Sequence, residues 1–384
     1  MSLLAQAKQI AQEIAANYAD EVDQQARFPT ETVQALKQAR LLSAYIPPEL
    51  GGAGASLSEL VQICETLGRH CASSAMIFAM HQIQVITLVH HGMQQTWMRD
   101  YLKQIAAHQY LIASVTSEAG VGGEMRRSRC AVNTEGMQSQ LDKDATTISY
   151  GAQADGLLVS ARRHADAANN DQVLVMLHQS DYRLEQKGQW NTMGMRGTCS
   201  PPFMLSARFA SEQIMTVPFG DMAAQTVVPV SHLLWGACWS GCASAAVNKA
   251  RAFVRNQARS NPGTVPPTAL RLAELVAQLQ SMRNAVSANL HDYLNLRAAS
   301  DAESGALTGI AYSLKMNNLK LDLSETLPHV VAKALMICGI LGYKNDSPFA
   351  MNRHLRDAYS APLMVGNDRI LATNANLLLI LKDD

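Results

Sequence analysis

The chain has 384 residues with 32 basic and 32 acidic side chains, a formal net charge of zero and a pI near 7.2. A balanced chain supplies no net field to hold nucleic acid or an anionic membrane, so neither partner is expected. The length suffices for well-buried cores without disulfides or metals, and the cysteines at 64, 71, 130, 199, 238, 242 and 338 lack C-x-x-C spacing, which reads as reduced thiols in a cytoplasmic protein. No charged-then-apolar leader opens the chain. Its apolar stretches are broken by polar residues before the roughly eighteen needed to span a bilayer, so a soluble chain is expected.

To about residue 110 the pattern is helical, with apolar residues at Ile10, Ile14 and Tyr18 and again at Val33, Leu36 and Leu41. The Pro- and Gly-rich run 47–54, PPELGGAG, interrupts it. From 111 to 225 the texture changes to short β-branched or apolar runs such as VLVML at 173–177, divided by Gly, Asn, Asp and Pro. After 226 helices return. Leu272, Leu275, Leu279, Met282, Val286, Leu290 and Tyr293 recur at spacings of three and four, the mark of one long packed helix. The expected organisation is α+β: a helical domain over 1–110, a middle β-barrel or sheet domain over 111–225 and a helical bundle over 226–384. The run WGACWSGCASAA at 235–246 is small nearly everywhere, so another helix or a flat ligand ring can approach its backbone closely. Trp235 and Trp239 lie four apart on that helix and read as packing residues. No His, Cys or carboxylate cluster has metal-ligand spacing, so no metal is expected.

Four further stretches point to chemistry. Phe28-Pro29, Leu41-Leu42 and the 47–54 run precede SVTSEAGVGGE at 114–124, then ISYG at 148–151 with Ala154-Asp155. GMRGTCS follows at 194–200, and CGILGY at 338–343 is followed by Arg353 and Arg356-Asp357-Ala358. A loop rich in Gly brings backbone N–H groups against a planar ring or a pyrophosphate that any Cβ would exclude.

In this order the stretches resemble the signatures of the acyl-CoA dehydrogenases over essentially the whole chain. The 114–124 stretch is similar to that family's T-E-P-x-A-G-S-D loop, 148–151 to its W-I-T-N-G strand, 194–200 to its G-x-R-x-[ST] turn, and 338–358 to its G-G-x-G-[FY] and R-x-x-R-D-A signature. The resemblance implies an N-terminal helical domain, a middle β-domain and a C-terminal four-helix bundle around FAD. It would place Thr116 and Ser117 on the pyrimidine side of the flavin, Gly122 and Gly123 against it, the Ser149 hydroxyl near N5, and Asn367 and Arg369 facing the cofactor. Two departures concern that cofactor. The family's R-x-x-F-G stretch is replaced by RNQARSNPG at 255–263, where Arg255 or Arg259 would have to serve, and Thr147 takes the place of the W-I-T aromatic.

The family's reaction removes a proton from the carbon α to a thioester carbonyl and sends hydride from the β carbon to the flavin, so a carboxylate must reach the α carbon. Counting without gaps from Arg356-Asp357-Ala358 through YSAPLMVGNDRI at 359–370, Val365 occupies that Glu position. At the alternative site, the start of the first bundle helix, alignment on the run ending at Gly241 gives Ser231. Neither takes a proton. Three side chains stand as replacements: Asp368, three residues beyond Val365; His81, on a helix that lines the acyl pocket in relatives; and His232, beside Ser231. Arg126, Arg127 and Arg129 read as a solvated basic run, with contact to a nucleotide phosphate or a carrier's phosphopantetheine as the alternative.

The resemblance implies a flavin-dependent desaturase of an acyl thioester on CoA or on a carrier protein, with electrons leaving to an electron-transfer flavoprotein and the chain assembled as a homodimer or homotetramer. Loss of the Glu also fits a flavin-dependent monooxygenase of the same fold. A catalytically idle flavin-binding homologue is the third reading.

Overall fold

The periodic segments fold as helices in a computed structural model that describes residues 1–299 and 305–381. Helix α1 (Leu3–Ile10) runs through a wider turn at Ala11–Ala15 into α2 (Ala16–Gln25), and α3 (Thr30–Gln38) follows. The Pro- and Gly-rich run forms a short turn at Pro48–Leu50 and a loop. Helix α4 (Leu57–Gly68) then opens with a reciprocal cap, Ser56 Oγ accepting from the Glu59 N–H at 3.2 Å while the Glu59 carboxylate accepts from the Ser56 N–H at 2.9 Å. Helices α5 (Ala72–Gly92) and α6 (Thr96–His108) complete the N-terminal layer.

Helix α5 corrects one expectation. It is long and apolar enough to cross a membrane by length and composition, although most of it is buried inside the protein as a core helix. Two of its buried polar residues find backbone partners there: the Thr87 hydroxyl donates to the Ile83 carbonyl, and the Gln82 amide donates to the Leu41 and Leu42 carbonyls.

The middle region forms two small sheets. In one, β1 (Ile112–Val115) runs parallel to β4 (Gly156–Arg162), which pairs antiparallel with β5 (Gln172–His178). In the other, β2 (Asn133–Glu135), β3 (Gln138–Ala145), β7 (Phe203–Ala210) and β6 (Tyr182–Gln186) pair antiparallel in that order. Strand β3 alternates, with Ser139, Leu141, Lys143 and Ala145 buried. The ISYG stretch, which resembled a strand, is a turn between β3 and β4, because Tyr150 is left-handed at φ 46° and Gly151–Gln153 coil into a short helical turn.

The C-terminal layer begins with α7 (Phe219–Met222) and contains three long helices, α8 (Val228–Ser260), α9 (Thr268–Ala299) and α10 (Ile310–Cys338). Short α11 (Ile340–Tyr343) and α12 (Asn352–Ala358) lead to α13 (Asn367–Leu378), which lies along α10. The small-residue run lies on α8 and brings it against α4: a Cβ on Gly241 would stand 2.3 Å from the Glu65 carbonyl oxygen, and one on Gly68 would stand 2.5 Å from that of Cys238. One continuous apolar core joins both helical layers to the sheets.

Candidate active site

The loop leaving β1 is fastened on two sides. Ser117 Oγ donates to the Thr147 carbonyl at 2.6 Å and accepts from the Thr147 N–H at 3.1 Å, which ties the loop to the turn carrying Ser149. Thr116 stands half-buried beside it. Underneath, the buried Glu118 carboxylate accepts from the Cys130 N–H at 2.6 Å and from Ser128 Oγ at 2.7 Å, with Lys143 Nζ 3.5 Å away. Lys143 also donates to the Ser160 carbonyl at 2.6 Å, and burial draws its pKa below the usual lysine range. This buried pair leaves the loop tip fixed at its base, where Gly122 and Gly123 are left-handed at φ 62° and 72°. Nothing stands within 4 Å of the Cβ that Gly122 lacks.

Ser149 heads a chain of hydroxyls. Ser200 Oγ donates to Ser149 Oγ at 2.9 Å and lies 2.9 Å from Thr198 Oγ1, which donates to the Met195 carbonyl at 2.8 Å. Ser149 accepts in this chain, so its own proton is available to donate. The Met195 N–H in turn donates to Asp357 Oδ1 at 2.7 Å, so the 194–200 turn joins Ser149 to α12. Burial pushes the Asp357 carboxyl up to about 6, against the opposing Arg353 charge. Tyr150, Met195 and Cys199 are all left-handed non-glycines along this path. Such local strain gathers at sites that surrounding structure holds in place.

The third wall is the turn into α13. Val365 is 42% exposed and left-handed at φ 60°, followed by Gly366 at φ 62°. The Arg369 guanidinium reaches across from α13 to donate to the Gly122 and Gly123 carbonyls, so the glycine loop and the Val365 turn meet. Asn367 turns the other way. Its Oδ1 accepts from Lys320 Nζ and from Ser324 Oγ, and its Nδ2 donates to Glu325 Oε1 at 3.1 Å. Arg369 thereby joins α13 to the loop and Asn367 joins it to α10. Asp368 is exposed in the first turn of α13, where a carboxylate meets the positive end of the helix.

Two of the substitute bases are tied to the backbone. His81 is fully buried, its Nε2–H donating to the Leu42 carbonyl at 2.7 Å while Nδ1 accepts from the Ile112 N–H at 3.0 Å. Both ring nitrogens are committed to backbone, and burial lowers its pKa to about 4. His232 is buried, its Nδ1–H donates to the Met316 carbonyl at 2.8 Å, and burial likewise holds it near 4. At that pKa either ring is a weak base, and each pins two elements together. Ser231 is buried in the first turn of α8. Arg255 and Arg259 are exposed toward the other end of α8.

The sheet side of this seam fits a flavin. It offers a left-handed glycine with open space at Gly122, a hydroxyl with a proton to donate, and an acid-anchored loop base, with the Arg369 guanidinium against Gly123. Two participants escaped the sequence reading: Glu118, inside the quoted loop, and Lys320. Tyr312, Met316 and Lys320 recur every four residues, so the helical period itself puts Lys320 on the buried face.

Two helical layers about a sheet layer, with a glycine- and hydroxyl-lined seam where sheet meets bundle, are the architecture of a class of flavin-dependent oxidoreductases. The chain matches the acyl-CoA dehydrogenase N-terminal domain over residues 2–135 and the C-terminal domain over 220–376, and it belongs to the acyl-CoA dehydrogenase family. It is 24% identical over 365 residues to the probable acyl-CoA dehydrogenase FadE25 of Mycobacterium tuberculosis, covering 94% of this chain and 90% of that one. Among solved structures it resembles butyryl-CoA dehydrogenase from Megasphaera elsdenii with a TM-score of 0.80 at 19% identity, over 98% of this chain and 97% of that one. It also resembles nitrososynthase from Micromonospora carbonacea var. africana with a TM-score of 0.83 at 18% identity, over 98% and 96%. At these identities the structural likeness establishes the fold alone.

Proposed function

We propose that the protein is an FAD-dependent dehydrogenase that desaturates an acyl thioester, carried on CoA or on a carrier protein, at its α,β bond. The observation that carries this reading is the meeting of the glycine loop, Ser149 and the Val365 turn in a chain that matches this family in both helical layers. Bound flavin supplies a hydride acceptor there. Gly122 would give it close backbone approach, with Gly123 beside it under Arg369, Thr116 and Ser117 would line its polar edge, and Ser149 would have a proton to donate to the ring. Arg369 closes the loop onto the turn. Among the described residues the positions that carry the family's base hold Val365 and Ser231, so the substrate's own α proton must be acidified, as by conjugation or a second electron-withdrawing group. A positioned base contributes about 10² to 10⁴ in rate. Saturated acyl thioesters are therefore expected to react slowly and activated ones quickly.

The same missing carboxylate favours a second reading, a flavin-dependent monooxygenase, and an idle flavin-binding homologue is the third. Anaerobic mixing of the flavin-loaded protein with acyl thioesters separates them. Loss of the flavin's visible absorbance supports the dehydrogenase. A protein that is bleached by no thioester, yet after chemical reduction inserts oxygen into an amine or aromatic, supports the monooxygenase.

Assembly as a homodimer or homotetramer belongs to the same proposal, as do the three domains and an electron-transfer flavoprotein as acceptor. Met336, Ile340 and Tyr343 are 67%, 70% and 76% exposed around α11, an apolar face that a second copy would cover. Light scattering of the purified protein tests the assembly.

A further inference from the structure

Beneath the Val365 turn lies a charge that no step above uses. Lys320 is a fully buried lysine on α10, and its ammonium donates to the side-chain oxygen of Asn367. Ser324 Oγ shares that acceptor at 3.2 Å. The carboxylate of the same network, Glu325, is exposed and stands one group removed, bonded to the other end of the same Asn367 amide at 3.1 Å rather than to the ammonium. The amide is therefore a relay between a buried cation and a surface anion. Asn367 is also the residue whose N–H closes the turn on the Pro362 carbonyl at 3.0 Å, two positions after Val365.

We propose that Lys320 is a positioning residue, a proton-sensitive latch that sets the Val365 turn through the side chain of Asn367. A buried ammonium with a neutral first partner gains by reaching water, and its partner Asn367 is bonded on the other side to the exposed Glu325. Protonation thus favours lifting of the turn, and loss of the proton lets the side chain stay buried and the turn settle. The other charged groups around it do not replace the missing counterion. His232 on α8 is held neutral by burial, Asp368 and Arg369 flank Asn367 on α13, and on α9 Asp292 is already paired with Lys315. Burial draws Lys320 from the ordinary 10.5 down to about 8, with Glu325 opposing, so the latch works in mildly alkaline solution, above about pH 8. The sign follows from linkage: the opened turn binds the proton more tightly, so closure strengthens as pH rises through the folded value.

This inference rests on the proposed function only in taking the Val365 turn as a wall of the site. Its test is backbone hydrogen exchange over residues 362–370 of the flavin-loaded full chain, corrected for intrinsic pH dependence, together with the pH profile of kcat/KM for a thioester. Protection in the wild type is expected to rise roughly tenfold between about pH 7 and 9.5, with kcat/KM following. Lys320→Gln, which keeps a donor without the charge, should be flat and high. Asn367→Asp, which gives the ammonium a direct counterion, should also flatten the curve, and it decides the matter alone if Lys320→Gln does not fold. A flat wild-type curve, or a slope that survives in the variants, overturns the latch. If exchange behaves as expected and no thioester reduces the flavin, the latch stands and the dehydrogenase reading falls; an active enzyme with a flat exchange curve gives the reverse.

Discussion

Val365 is a β-branched residue in a left-handed conformation, a strained state of about 1 to 3 kcal/mol that persists where surrounding contacts dictate it. Those contacts are the Arg369 bonds on one side and the Asn367 relay on the other. Because the backbone is already held, a new side chain there should point where Val365 points. Val365→Glu is expected to raise the rate of flavin reduction by a saturated acyl thioester, up to about 10²-fold or more, as a positioned base does. Stopped-flow absorbance measures it, and an unchanged rate in a folded, flavin-loaded variant would place Val365 away from the α carbon. His81 tests the opposite kind of residue. His81→Ala leaves the Ile112 N–H unpaired and takes from the Leu42 carbonyl its shorter bond, leaving it the Gln82 amide alone, while opening a cavity in the core, at a cost of roughly 2 to 5 kcal/mol. Thermal denaturation should show that loss while activity per folded molecule holds; intact stability with lost activity would restore His81 as a base.

At the scale of elements, the periodicity of three and four in α9 and the apolar run of β5 were legible because each is a local pattern with one solution. So was the small-residue run, whose reading as helix contact is realised at Gly241. Partners distant in the chain were not legible. His81 is satisfied by residues 39 and 31 positions away, which no spacing along α5 reveals. Lys143 and Lys320 sit in step with the buried period of β3 and α10, but a polar residue in step reads as an interruption until its partner is known. The Val365 substitution was visible by counting, whereas the inward turn of Asn367 depends on α10. The α4–α8 contact makes a prediction of its own. Ala ordinarily gains about 1 kcal/mol over Gly inside a helix. Gly241→Ala should nonetheless destabilise by about 1 to 3 kcal/mol, because its Cβ meets the Glu65 backbone, while Gly220→Ala on α7, with nothing within 4 Å, should be neutral or slightly stabilising. Paired thermal melts decide it, and a stabilised Gly241→Ala would mean that the helices part easily.

Across the whole molecule the histidines that join layers share one electrostatic state. His81 and His232 lie near 4, His90 near 3 and His91 near 4, and His354 is held well below the ordinary value, each chiefly by burial. Nearby cations reinforce this, Arg297 at His90 and His91, and Arg353 and Lys249 at His354. They stand at separate seams. His90 and His91 meet Thr226 before α8, at 3.2 and 2.8 Å, and His354 lies on α12. As pH falls below 6.5 the unfolded chain takes up protons that the folded chain refuses until about 4, so stability declines through that window. Asp357 works against the trend. Its folded value of about 6 lies above the ordinary 3.8, so it adds stability as pH falls through 6, but it is one group against five. The thermal midpoint should therefore drop steeply between about pH 6.5 and 4. Asp357→Asn should steepen that drop by removing the opposing group. A midpoint that stays level or rises from pH 7 to about 4.5 would mean that these rings are protonated in the folded protein, and the neutral seams described here would be wrong.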